Sequence, residues 1–409
     1  MSIHKLTRSN LLSLSLLLTI LLAAGCRPST APGGSLPQTA AGGPTAGPAP
    51  AAQPGATPDA GLAFNQVLDI SFSDATHGWL IGSACGPAGS CAPALRLTLD
   101  GGLTWQAVPA PPTGLANVGD SGLTHNVRSL RFNSPATGWA FGPGLWATRD
   151  GGRSWADLNP DRPVRALEPA GGSVWALFGS CQEAGPCEFS VAALDPGGLA
   201  WQPLPKQPGI SGTQVQLLRY GPQDAWVLAW GSPAAGEAST AATTAPAGKA
   251  GGPALAVTHD GGASWQLMGL PCSPQAAAAR MAALNGHQLW ALCGGGPGAG
   301  QQLKTFTVSN DGGLTWSTPQ DAPSAGYVDD LAAVNQQRGF MALGRSTLFI
   351  THYGGQSWTP AIPLEQANPS DSSGWRIVFF DELRGWASLQ NRVFRTSDGG
   401  EHWSMSEVH

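Results

Sequence analysis

Thr98-Leu-Asp-Gly-Gly-Leu-Thr-Trp105 returns as Thr148-Arg-Asp-Gly-Gly-Arg-Ser-Trp155, Thr258-His-Asp-Gly-Gly-Ala-Ser-Trp265, Ser309-Asn-Asp-Gly-Gly-Leu-Thr-Trp316 and Thr396-Ser-Asp-Gly-Gly-Glu-His-Trp403. Two worn copies, Leu194-Asp-Pro-Gly-Gly-Leu-Ala-Trp201 and Thr351-His-Tyr-Gly-Gly-Gln-Ser-Trp358, bring the count to seven. Successive final Trp residues are 50, 46, 64, 51, 42 and 45 positions apart. That period is the spacing of propeller blades.

A looser signature keeps the same count. Ahead of each box stands a short apolar strand marked by an aromatic: Trp79, Trp139, Trp175, Trp226, Trp290, Phe340 and Trp386, four of them after Gly. Each unit reads as four short strands: an apolar run, the aromatic strand, the strand entering the box, and the strand beginning at its last Trp. Unit 2 shows this as Val127 to Phe132, Gly138 to Gly142, Leu145 to Thr148 and Ser154 to Leu158. The predicted fold is all-β, a seven-bladed propeller of four-stranded antiparallel blades. The box has a local explanation. Asp100, Asp150, Asp260, Asp311 and Asp398 can accept from nearby backbone N–H groups, and the Gly pair can take the positive φ of a tight turn. Trp105, Trp155, Trp265, Trp316 and Trp403 can then pack between neighbouring sheets. This makes the Asp residues structural rather than metal ligands or glycosidase acids.

The pattern Ser/Thr-x-Asp-x-Gly-x-Thr/Ser-Trp resembles the Asp-box, or BNR, repeat of the sialidase superfamily over about residues 64 to 407. The pairing of that box with SFSDATHGW (residues 71 to 79), RFNSPATGW (131 to 139) and FFDELRGW (379 to 386) is most similar to the photosystem II assembly factor-like group of seven-bladed propellers. The resemblance implies a scaffold's mode of action and no photosynthetic role as such. The motif is shared with sialidases, xyloglucan hydrolases and sorting receptors.

His4, Lys5 and Arg8, an apolar stretch from Leu11 to Leu22, and Leu22-Ala-Ala-Gly-Cys26 resemble a bacterial lipoprotein signal. Residues 1–25 are then a signal peptide and Cys26 the lipidated mature N-terminus, anchored in the cell envelope on the extracytoplasmic side. Residues 26–61, rich in Pro, Gly and Ala, read as a disordered tether before a propeller at 62–409. A similar low-complexity tract at 231–252 reads as a hairpin insertion in unit 4 and accounts for the 64-residue step. Six cysteines remain after Cys26. Repeat register selects Cys85 with Cys91, Cys181 with Cys187 and Cys272 with Cys293 from fifteen possible pairings. No His spacing beside them makes a zinc cage.

Without the signal, 19 basic side chains face 26 acidic ones. That mildly acidic balance, with no basic aromatic-interleaved patch, argues against nucleic-acid binding. The sequence calls for no cofactor and no metal. A sialidase would need three arginines, a Tyr nucleophile with its Glu, and an Asp acid. Arg128, Arg131, Arg165, Arg219 and Arg376 lie in or beside first strands, yet Tyr220, Tyr327 and Tyr353 are poorly placed. Asp329 and Asp330, adjacent on a strand, are expected to point to opposite faces and so not to serve one site together; Asp74, Asp329 and Asp381 are the candidates for a carboxylate pair across a sugar. The preferred reading is a lipid-anchored, non-catalytic propeller with a protein partner. A carbohydrate-binding surface protein and a glycoside hydrolase are the alternatives. The five arginines are the partner-binding candidates, suited to an acidic peptide or a carboxylated glycan.

Overall fold

The computed structural model describes residues 51–55, 62–87, 89–117, 122, 124–181, 185–194, 200–231, 252–363 and 374–409. Cys26, the signal, most of the tether, residues 232–251 of the insertion and residues 195–199 of one worn box lie outside them. The described residues contain no helix.

After β1 (Gln53–Pro54), the chain builds seven antiparallel sheets in succession. Blade 1 is β2 (Ala63–Phe72), β3 (Gly78–Cys85), β4 (Cys91–Thr98) and β5 (Gln106–Val108), and blade 2 is β6 (Ser129–Phe132), β7 (Gly138–Phe141), β8 (Leu145–Thr148) and β9 (Ser154–Asp157). Blade 3 runs from β10 (Val164–Ala170) through β11 (Ser173–Cys181) and β12 (Cys187–Leu194) to β13 (Gln202–Pro203), with β14 (Ser211–Gly212) also on β12. Blade 4 holds β15 (Gln214–Tyr220), β16 (Asp224–Trp230), β17 (Ala254–Thr258) and β18 (Gln266–Gly269). Blade 5 holds β19 (Ala278–Ala283), β20 (Leu289–Gly294), β21 (Lys304–Ser309) and β22 (Gln320–Ala322). Blade 6 holds β23 (Tyr327–Ala333), β24 (Gly339–Gly344), β25 (Leu348–Thr351) and β26 (Thr359–Pro360). Blade 7 holds β27 (Arg376–Phe379), β28 (Gly385–Leu389), β29 (Arg392–Thr396) and β30 (Ser404–Glu407). The protein is thus a seven-bladed propeller.

The boxes behave as turn locks. In the second of them, Thr148 Oγ1, Ser154 N–H and Ser154 Oγ donate to the Asp150 carboxylate at 2.9, 2.9 and 2.6 Å, and Gly152 N–H donates to Thr148 Oγ1 at 2.8 Å. Gly151 and Gly152 have φ of 73° and 94°, a region a side chain would resist. Against a burial penalty, these donors hold Asp150 below the usual carboxylate range. The worn sixth box keeps the hydroxyl half, with Tyr353 and Gly355 N–H on Thr351 Oγ1, while the Tyr353 side chain stands exposed. Asp150→Ala should cost about 1 to 3 kcal/mol, because its donors lose their acceptor. Denaturant melts check this, and an unmoved midpoint would contradict the turn-lock role.

The two repeating signatures meet at the blade junctions. Trp79, Trp226 and Trp386, on second strands, donate their indole N–H to the box carbonyls of Gly151, Gly312 and Gly101 on the next blade, at 3.0, 2.8 and 2.8 Å. The Gly before the aromatic is explained by space: a Cβ at Gly78, Gly138 or Gly385 would fall 2.3 to 2.5 Å from the ring of Phe72, Phe132 or Phe379. Phe72 and Phe132 stack in turn on Trp386 and Trp79 of the preceding blade, with ring centroids 3.5 and 3.7 Å apart. Buried clusters fill each junction, including the join of blade 7 to blade 1, where Phe64, Val67 and Leu80 meet Trp386, Val393 and Val408. Among the described residues no strand is shared across that join; Val67 N–H on Gln390 O and Arg96 Nε on the His409 backbone oxygen bridge it. Disulfides join Cys85 to Cys91, Cys181 to Cys187 and Cys272 to Cys293, the pairing that repeat register selects.

One stretch departs from expectation. Gln53 and Pro54, inside the segment read as tether, pair with Trp155 and Ser154 and give blade 2 a fifth strand. Backbone pairing makes no demand on side-chain type, so a Pro/Ala-rich segment can do this without a hydrophobic pattern.

Candidate functional site

First strands line a central cavity of about 600 Å³. Its polar inventory follows from one register position. The residue paired with the second position after each marker aromatic is Asp69 in blade 1, Ser129 in blade 2, Ala166 in blade 3, Gln216 in blade 4, Arg280 in blade 5, Asp330 in blade 6 and Arg376 in blade 7. All seven line the cavity.

This ring also ties blades together. Asp69 Oδ2, Gln216 Oε1 and Asp330 Oδ2 accept from Leu130, Met281 and Ile377 N–H at 3.2, 2.9 and 3.1 Å; each donor directly follows the ring residue of the next blade. From blade 5, Arg280 Nε donates to Asp329 O at 2.8 Å instead. A carboxylate or amide at this position therefore satisfies a backbone donor that a neighbouring sheet leaves unpaired.

Of the five arginines singled out from the sequence, Arg131, Arg165 and Arg376 line the cavity. Arg131 bridges Asp69 and Glu168 at 2.9 Å each, tying blades 1, 2 and 3. Burial alone would lower its pKa, but the two carboxylates outweigh it and hold the guanidinium above its ordinary value, while burial pushes Glu168 up against the pull of Arg131. Arg165 sits at a bulge in β10 and reaches Cys181 Sγ at 3.2 Å. The other two arginines are placed elsewhere. Arg128 donates to Ala116 O. Arg219 lies 4.2 Å over the Trp175 ring and donates to Ser173 and Glu168 carbonyls, with burial pushing it down to about 10. Both are inter-element ties rather than cavity groups. Arg280, not singled out from sequence, takes their place; it hides in an Ala-rich run, and only counting two positions beyond Trp290 finds it. The cavity thus carries Arg131, Arg165, Arg280 and Arg376 against Asp69, Glu168, Asp329 and Asp330. The arginines do not make it a cationic site; its formal charges balance.

Asp329 and Asp330 correct the expectation that neighbours on a strand must face apart. A register shift between Val328 and Asp330 inserts Asp329 as a bulge. Both carboxylates then reach the same strip of blade 7, Asp329 accepting from Trp375 N–H at 2.9 Å and Asp330 from Ile377 N–H. Asp74 and Asp381 do not join them. Each caps its own first turn, accepting from Thr76 and His77 N–H or from Leu383 and Arg384 N–H. No tyrosine lines the cavity, and among the described residues no three His, Cys, Asp or Glu side chains cluster as a metal site.

Burial pushes Asp329 up to about 6, opposed by the Trp375 N–H and by Arg376 and Arg280 and assisted by the Asp330 charge. An unfolded Asp titrates near about 3.9. Between these values the folded protein binds the extra proton, so this group's contribution is fully present below about pH 4 and is lost as pH rises to about 6. Asp329→Asn, which keeps an acceptor for Trp375, should therefore gain in melting temperature over wild type as pH rises through that window. Melting curves at pH 4 to 7 that run parallel for the two proteins would refute it.

No family model and no curated protein matches the sequence. Solved structures do. One described as YCF48 bound to D1 peptide is 21% identical over 80% of this chain and 91% of its own, with a TM-score of 0.52. YCF48 from Cyanidioschyzon merolae is 16% identical over 82% of this chain and 96% of its own, with a TM-score of 0.53. A Hadza microbial sialidase is 14% identical over 68% of each chain, with a TM-score of 0.40. The two YCF48 structures share the propeller fold described above.

Proposed function

We propose that this chain is a lipid-anchored, extracytoplasmic propeller of the bacterial envelope that binds a protein partner at its cavity face without catalysis. One observation carries the non-catalytic part: each cavity carboxylate already accepts from Arg131 or from a backbone N–H of the neighbouring blade. A glycosidase needs one carboxylic acid to give its proton and a second to act as nucleophile or base across the sugar. Carboxylates fixed as inter-blade acceptors, in a cavity without tyrosine, are poorly suited to that exchange. Balanced Arg and Asp/Glu pairs instead offer both signs to an extended peptide. A propeller of the same fold described as bound to D1 peptide supports peptide binding as a use of this architecture. The anchor rests on Leu22-Ala-Ala-Gly-Cys26.

The test uses the full chain as bait in native membranes, wild type against Arg165→Gln with Arg376→Gln. A defined protein partner recovered by the wild type and lost by the double variant, at unchanged melting temperature, is the expected result. Retention on a glycan array, or turnover of sialosides or xyloglucan, would overturn it. In the same membranes Cys26→Ser should abolish fatty-acid labelling of the N-terminal peptide.

A further inference from the structure

The outermost strand of blade 2 is unlike the other six. In β5, β13, β18, β22, β26 and β30 no residue is buried, and the box Trp precedes the strand half-buried. In β9 the strand starts early enough to include Trp155, and both Trp155 and Ala156 are buried. Its free edge is taken by β1, with Gln53 opposite Trp155 and Pro54 opposite Ser154, and the pairing continues as Gly55 N–H on Arg153 O at 3.4 Å.

The next residues say what this edge accepts. A Cβ at Gly55 would fall 2.4 Å from Pro109 Cβ and 2.9 Å from Ala110 O, although Gly55 does not have positive φ. Space, not backbone angle, requires glycine there. The wall that excludes a side chain is held by Trp155, whose indole N–H donates to Pro109 O at 3.1 Å. Gln53 and Pro54 are exposed, so their contribution is main-chain pairing. Proline, lacking an N–H, is tolerated because an outermost strand leaves one donor side unused.

We infer that the edge of β9 and the Pro109–Ala110 wall form a strand-accepting groove for an extended segment ending in glycine, and that its occupant is this chain's own Gln53-Pro54-Gly55. The N-terminal tract is thereby strapped to blade 2 before it enters β2. If Cys26 carries the anchor, which rests on the preceding reading, the chain that follows it is held to blade 2 at residues 53–55, ahead of β2. A two-residue pairing is weak by itself. Covalent linkage supplies it at an effective concentration on the order of millimolar, which is why a short strand suffices.

Hydrogen exchange on the full chain tests this, in a Cys26→Ser background so that the result does not depend on the anchor. Peptides covering residues 50–56 and 153–157 should exchange at least tenfold more slowly than an unstructured chain. Gly55→Val should remove that protection from both together while β28 and the melting temperature are unchanged. A synthetic peptide of residues 49–57 at millimolar concentration should restore the 153–157 protection to the variant, and the same peptide carrying valine should not. Wild-type residues 50–56 exchanging at the unstructured rate would overturn the strap. So would an unaltered pattern in Gly55→Val, or a valine peptide that restores protection equally well.

Discussion

Trp155→Ala is expected to lower stability by about 3 to 5 kcal/mol, the range for deleting a large aromatic from a packed core. The side chain is fully buried among Leu95, Ala110, Val127 and Leu130, so its removal leaves a cavity across the junction of blades 1 and 2. It also leaves the Pro109 carbonyl without its indole donor. Trp316, half-buried and with no hydrogen-bond partner for its indole N–H among the described residues, is the control: its replacement should cost roughly half as much, because less apolar surface returns to water. Denaturant midpoints for both variants decide the matter. Equal losses would mean that the seven box tryptophans are interchangeable, contrary to their differing burial.

Arg131→Met should come next, at about 2 to 4 kcal/mol. Breaking a dry ion pair by removing one partner costs about 3 to 5 kcal/mol, because the remaining charge stays buried without compensation. Here Arg131 keeps 31% exposure at the cavity, so the expected loss is set below that range. Asp69 would keep the Ile70 and Leu130 N–H donors while Glu168 would lose its Arg131 donor, and stability should recover as acid protonates the two carboxylates. Melts at pH 7 and pH 4 test this: the gap between variant and wild type should narrow at the lower pH. A gap that widens would mean that Arg131 acts by packing alone.

What could be read from the residues and what could not divide along a physical line. The box and the Gly-Trp pair are local devices, a carboxylate that caps its own hairpin and a glycine that admits a phenyl ring, so their repetition betrays the blades without any long-range information. The disulfide pairing followed from the same register. The bulge at Asp329 was invisible because inserting one residue into a strand changes side-chain direction without changing residue pattern. Arg280 lies in an alanine run with no apolar alternation to place it, and a position in or beside a first strand, which is what marks Arg128 and Arg219 in the sequence, does not settle where a long side chain ends. Gln53 and Pro54 carry no strand signal in the sequence, because a strand held only by main-chain pairing has no β-forming composition to display.

Among the described residues each of the first and last blades is built from its own stretch of chain, and this bears on how the chain reaches its native state. Apart from β1 and β14, successive strands of each blade pair as neighbours along the chain, so the sheets can form from local hairpins as successive segments become available. Ring closure alone must wait for the final blade: the Trp386 indole meets the Gly101 carbonyl across 285 residues. Until then the apolar flank of blade 1 has no partner, and that interval, rather than the building of any single sheet, is when an incomplete ring is most exposed to association with another chain.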